Sequence, residues 1–174
     1  MTRRKAAFVY PVPPAPPTAV LVPWFQSHGL RSWRFRARGA VRMFDGGWDL
    51  EAAAYQPASI AGTWAQVEPL LANKIESLTH ALIVLARRDN PLLTLEQRQQ
   101  IWNRFRVPVF EQIIGQNGAL LAAECEAHAG LHIESPKLEV GGLSIENGPC
   151  GCGRNTPRIR GEAQEIRAAA AYAR

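Results

Sequence analysis

Three observations predict an α/β fold built on a small mixed sheet. First, apolar runs of strand length at 78–86 and 107–114 bracket a capped segment with helical periodicity. Strand, helix, strand in that rhythm is a right-handed βαβ unit with a parallel pair. Second, Asn117-Gly118 comes at once after the second run, a dipeptide suited to a tight hairpin turn, so the next strand returns antiparallel. Third, all 3 cysteines fall in two short clusters, Cys125-Glu126-Ala127-His128 and Cys150-Gly151-Cys152-Gly153. Two chelating pairs joined by a loop are the pattern of a tetrahedral Zn²⁺ site. The fold class is therefore completed by a C-terminal zinc-stabilised hairpin region.

The organisation reads as a Pro-rich extended segment over 1–29, an α/β domain over 30–160 with its zinc site at 119–154, and a helical tail over 161–174. Prolines at 11, 13, 14, 16 and 17 give the first segment polyproline II character. Residues 30–38 alternate apolar and basic with period two, which predicts a strand showing Trp33 and Phe35 to the core and Arg34, Arg36 and Arg38 to solvent. Gly46-Gly47 and Pro57 mark a loop in which Leu50 to Ala54 can form a helical turn. From Ser59, the spacing of Ile60, Trp64, Val67, Leu70 and Leu71 predicts a helix that Pro69 kinks or restarts. Ala81-Leu82-Ile83-Val84-Leu85 suits a strand covered on both faces. Thr94 and Gln97 form a capping box for a helix with Ile101, Trp102 and Phe105 inward. The strand at 107–114 comes next, then the hairpin partner at 119–124 that delivers Cys125. Short strands are expected at 131–134 and 138–140. The alanine-rich tail is helical by propensity.

At the first thiol cluster, one tight turn aims Cys125 and His128 at a common ion. At the second, Cys150 and Cys152 alternate along extended chain, and Gly151 and Gly153 remove the Cβ groups that would resist the bend. The expected ligands are Cys125, His128, Cys150 and Cys152. His132 is the rival fourth ligand. His128 is favoured because a two-residue spacer is common in structural sites. Four protein ligands close the site, so the Zn²⁺ is expected to be structural. Glu124 and Glu126 read as a solvated strand face, Glu111 as a hydrogen-bonded structural carboxylate, and His80 as a core histidine.

Composition sets further bounds. With 47% hydrophobic and 20% charged residues in 174, the chain is long enough for one sizeable core. No apolar run approaches the length of a membrane span, so no membrane partner is expected. Prolines interrupt the segment after the basic start, which argues against a cleaved export signal and points to a cytoplasmic protein. Residues 1–44 hold eight basic groups and no acid, so the net charge of +5 is local. That suggests an anionic contact, with Arg34, Arg36 and Arg38 as candidates, although a charged edge strand that resists aggregation accounts for the same arginines. Nucleic acid ranks behind a protein partner, because that solvent face lacks stacking aromatics.

The stretch from Pro57 to Arg160 resembles part of the phenylacetate-CoA ligase branch of adenylate-forming enzymes. The resemblance is carried by Leu93-Thr94-x-Glu96-x-Arg98, Val107-Pro108-Val109-Phe110-Glu111, Glu124-Cys125-Glu126 through Gly130-Leu131-His132, and Cys150-Gly151-Cys152-Gly153-Arg154 with Pro157-Arg158-Ile159. It implies a ligase-like core with a second zinc knuckle. Where those enzymes carry an aromatic, a glycine, any residue and then Thr-Glu, this chain reads Ile114-Gly115-Gln116-Asn117-Gly118, and their Gly-rich phosphate loop and catalytic-lysine domain have no counterpart. No catalytic residue is therefore assigned. The expectation is a non-catalytic zinc-binding accessory or binding domain related to the acyl/aryl-CoA ligase core. The alternatives are one subunit of a split acyl-CoA or aryl-CoA ligase and a nucleic-acid-binding protein.

Overall fold

A computed structural model describes residues 10–11, 15–22, 40–87, 92–115, 119–136, 138 and 144–160. Among these, nine strands form one mixed sheet: β1 (Thr18–Val22), β2 (Val41–Asp45), β3 (Ser59–Gly62), β4 (Ala81–Ala86), β5 (Val109–Ile114), β6 (Leu120–Glu124), β7 (Leu131–Ile133), β8 (Ser144–Glu146) and β9 (Arg158–Arg160). The spatial order is β2-β1-β3-β4-β5-β6-β7-β9-β8. The first five strands are mutually parallel, and from the β5–β6 pair onward every pairing is antiparallel.

The parallel half follows from strands buried on both faces. Every residue of β3, β4 and β5 is buried, as expected of parallel strands covered on both faces. Three helices stand among the described residues: α1 (Leu50–Ala54), α2 (Trp64–Val67) and α3 (Leu95–Phe105). Their buried residues Ala52, Val67 and Ile101 join one apolar cluster with Leu21, Ile60, Leu82 and Val84. The Thr94 hydroxyl accepts from Gln97 N–H, and Gln97 Oε1 accepts from Thr94 N–H, so the predicted capping box opens α3. The β4–α3–β5 unit is present with a parallel pair.

Three local expectations need correction. Thr18–Val22 lies inside the proline-rich segment, yet it is an internal strand paired to β2 and β3. Its prolines stop short of the ladder: Pro17 O accepts from Ser59 N–H at 3.0 Å, so the missing donors cost no sheet bond there. Ser59 to Gly62 is strand, and helix begins only at Trp64. Ile60 and Ala61, each fully buried, need cover on both faces, and Thr63 with Gln66 then caps α2. Pro69 restarts the chain as a 3₁₀ turn over Glu68–Ala72. On α3, Ile101 is buried but Trp102 is 45% exposed.

The predicted strand at 30–38 with Arg34, Arg36 and Arg38, the Asn117-Gly118 turn and the tail from 161 lie outside the described residues. The β5–β6 pairing on either side of that turn is described, with Gly115 N–H donating to Ala119 O at 2.8 Å. No helix of the described residues is long and apolar enough to cross a membrane.

Candidate metal centre

The antiparallel half of the sheet brings three chain segments to one point. Strand β6 ends at Glu124, so Cys125 begins the turn that leads into β7. His128 N–H donates to Cys125 O at 2.9 Å, closing that turn. Gly130 completes it at φ +105°, where an added Cβ would stand 2.5 Å from Ile159 O. Both the backbone angle and the close approach require glycine. Two residues later His132 sits in mid-strand, opposite Ala123 on β6 and Arg158 on β9, with no exposed surface. The second knuckle folds on itself: Gly153 N–H donates to Cys150 O, and Cys150 N–H donates to Arg154 O, both at 2.9 Å.

As a result, the ligand atoms of Cys125, His132, Cys150 and Cys152 all lie within 4.8 Å of one another. Cys125 Sγ and Cys150 Sγ are 3.7 Å apart, and Cys152 Sγ is 3.4 Å from His132 Nε2. The sulfur pair is far beyond the roughly 2.05 Å of a disulfide, and all three cysteines are free. It matches the roughly 3.8 Å edge of a tetrahedron with metal–sulfur distances of about 2.3 Å. His132 Nδ1 lies 2.7 Å from Thr156 Oγ1. An Nδ1–H donated to that hydroxyl fixes the ring and leaves the Nε2 lone pair facing the thiols. The fourth member is thus His132, and not the favoured His128.

The thiols are unequal. Burial pushes the Cys125 thiol up to about 12. The Cys152 backbone N–H, with help from Arg158 and His132, draws Cys150 down to about 6. Of these two, Cys150 is the more readily ionised.

His128 has a different place. It takes φ 47°, in the left-handed region, and the ring stacks on Phe110 with centroids 4.9 Å apart. Its Nδ1 is 2.8 Å from Glu124 Oε1. The turn therefore carries the imidazole to a second polar cluster. There Arg98 reaches from α3 to Glu111 Oε2 at 2.5 Å and to Glu124 Oε2 at 2.7 Å. Glu124 Oε2 also accepts from Glu111 N–H at 3.0 Å, and Glu111 Oε1 accepts from Leu93 N–H at 2.6 Å. Burial pushes the Glu111 carboxyl up despite Arg98. Burial also opposes ionisation of Glu124, but the His128 bond and the Arg98 charge outweigh it and hold that carboxyl below the ordinary range. Arg98 is held above its usual value, because its two carboxylates outweigh its burial.

This cluster bears on three sequence expectations. Glu111 is a hydrogen-bonded structural carboxylate. Glu124 is 7% exposed and fully bonded, so it does not belong to a solvated face, whereas Glu126 is exposed. His80 is exposed beside Thr79 rather than in the core. Sequence reasoning missed Arg98 as the partner that makes two buried acids tolerable. The signal available was a pair of acids on strands predicted to be adjacent, which need a cation. An open groove of about 610 Å³ runs past this cluster, lined by Leu95, Trp102, Pro108 and Val109 with Arg98 and His128. None of the four thiol and imidazole residues lines it.

Compared with models of known protein families and with curated proteins, the chain matches none.

Proposed function

We propose that this chain is a non-catalytic α/β binding or accessory domain whose antiparallel half is locked by one structural Zn²⁺, and that it is related to the acyl/aryl-CoA ligase core. The observation that carries the reading is the convergence of Cys125, His132, Cys150 and Cys152 within 4.8 Å. Three thiolates and an imidazole suit a soft to borderline divalent ion. Four protein ligands leave no coordination position for water or substrate, so the ion cross-links and does not catalyse. The residues it ties follow β6, lie within β7 and precede β9, at the end of the sheet where strands are only three residues long.

Two features support a role without adenylate chemistry. The turn from β3 into α2, Gly62 to Val67, has no basic side chain, and its Thr63 N–H is used by Gln66 at 3.0 Å. After β5 the chain carries Gly115-Gln116-Asn117-Gly118, without the acid that would hold Mg²⁺ in the enzymes it resembles. Metal analysis of the purified chain should give about one zinc per polypeptide, and Cys150→Ser should lower both zinc content and thermal stability. A cooperatively folded chain without metal would sink the reading. Pyrophosphate exchange by the chain alone should be absent; its presence would move the assignment to a ligase.

A further inference from the structure

One residue beside the metal cluster is out of keeping with a purely structural strand. Arg158, at the start of β9, is 3% exposed. The sheet register sets it directly between His132 on β7 and Glu146 on β8, so all three side chains share one face. Its Nη2 lies 3.0 Å from Glu146 Oε2. That carboxylate is not its own: Arg160 Nε stands 2.6 Å from the same oxygen. Its interaction with Cys150 holds the Arg158 guanidinium above its ordinary value. Its buried Nε has no hydrogen-bond acceptor among the described residues. A buried guanidinium sharing one carboxylate with a second arginine is short of negative charge.

The metal cluster has the opposite imbalance. Three thiolates, one neutral imidazole and one divalent ion leave a net charge of −1 in a buried place. We infer that Arg158 is the counter-cation of the metal centre: its buried guanidinium, held across the sheet from His132, neutralises the excess thiolate charge and so sets the affinity for a divalent ion. A monovalent ion would leave the assembly negative and a trivalent ion would leave it positive, so this charge balance selects for the divalent class. Arg158 touches no metal and acts through the charge it sets beside His132, which makes it a positioning residue.

The inference rests on the metal reading above, and the test separates the two. Zinc affinity of the full chain is measured by competition with a chromophoric chelator, using Zn²⁺ alone as probe, for wild type, Arg158→Gln, Arg158→Lys and Glu146→Gln. Loss of a group supporting a metal ligand weakens binding by roughly 10–100-fold. Arg158→Gln should fall in that range, and Arg158→Lys, which keeps the charge, should restore affinity to within about threefold of wild type. Glu146→Gln should bind at least about threefold more tightly, because it removes the anion that competes for the guanidinium. A purely structural arginine would not give rescue by lysine together with tighter binding by the Glu146 variant. Equal affinity of Arg158→Gln and wild type would overturn this inference alone. If Arg158→Gln does not fold, unchanged or weaker binding by Glu146→Gln overturns it. A wild-type chain that takes up no zinc overturns the metal reading and this inference with it.

Discussion

The two histidines of the first knuckle give the sharpest test of the site, because they differ by four positions and by everything around them. His132 has no exposed surface, faces Cys152 at 3.4 Å and is oriented by Thr156. The His128 side chain is 42% exposed and bonds Glu124. Zinc binding in small modules is worth about 10–16 kcal/mol, so one ligand of four carries about 3 kcal/mol, or roughly two orders of magnitude in affinity. His132→Ala should lose that affinity and also leave a buried void with the Thr156 hydroxyl stranded, adding about 1–3 kcal/mol of instability. His128→Ala removes one half-exposed hydrogen bond and a ring stack, about 1 kcal/mol, and should keep a full zinc complement. Stoichiometry by metal analysis and chelator competition reads the first effect, and urea unfolding with zinc in excess reads the second. Zinc lost from the His128 variant and kept by the His132 variant would refute the geometry.

Other perturbations probe the surrounding framework. Arg98→Ala strands the Glu111 and Glu124 carboxylates, which are 6% and 8% exposed, and should cost about 3–5 kcal/mol in denaturant unfolding; a loss below about 1 kcal/mol would show that the cluster is not held by that arginine. Glu124 has a depressed folded-state pKa, so its contribution is complete above the unfolded carboxylate value and is lost as pH falls through the folded one. Glu124→Gln should therefore flatten the stability profile on the acid side of pH 4.5, and an unchanged profile would contradict the assignment. Gly130→Ala should destabilise by at least about 1–3 kcal/mol from its backbone angle alone, and a neutral result would mean the close approach to Ile159 O is not rigid. Acidification should release zinc, since protons compete for the thiolates; retention of the metal well below about pH 4 would argue against thiolate ligation.

Much of this architecture is legible one segment at a time. The capping box at Thr94 and Gln97 is local chemistry, and the runs at β4 and β5 announce burial by continuity. The proximity of the three thiols follows from their clustering. The features that escape are those that depend on distant partners. Thr18–Val22 is read as part of a proline-rich tether because no near neighbour in the chain reveals that β2 and β3 will flank it. Ser59 to Gly62 has spacing compatible with a helix, and the choice of strand is made by Thr18 and Ala81 across the ladder. Likewise β8 and β9 are too short for periodicity to report.

That His132 and not His128 joins the thiol cluster has a more specific cause. Spacing alone lets Cys125 and His128 chelate as one turn, and this turn does close, with its backbone bond at 2.9 Å. But a positive φ at residue 128 directs the ring back toward Phe110 and Glu124, while the strand alternation of Leu131-His132-Ile133 sends His132 to the face that meets Cys150 and Cys152. Antiparallel register decides between them: pairing Glu124 with Leu131 puts His132 opposite Ala123, two residues before Cys125. The same register sets Arg158 beside His132. A backbone register, set by Gly130 and the short strands beyond it, thus decides which of the two histidines joins the thiol cluster.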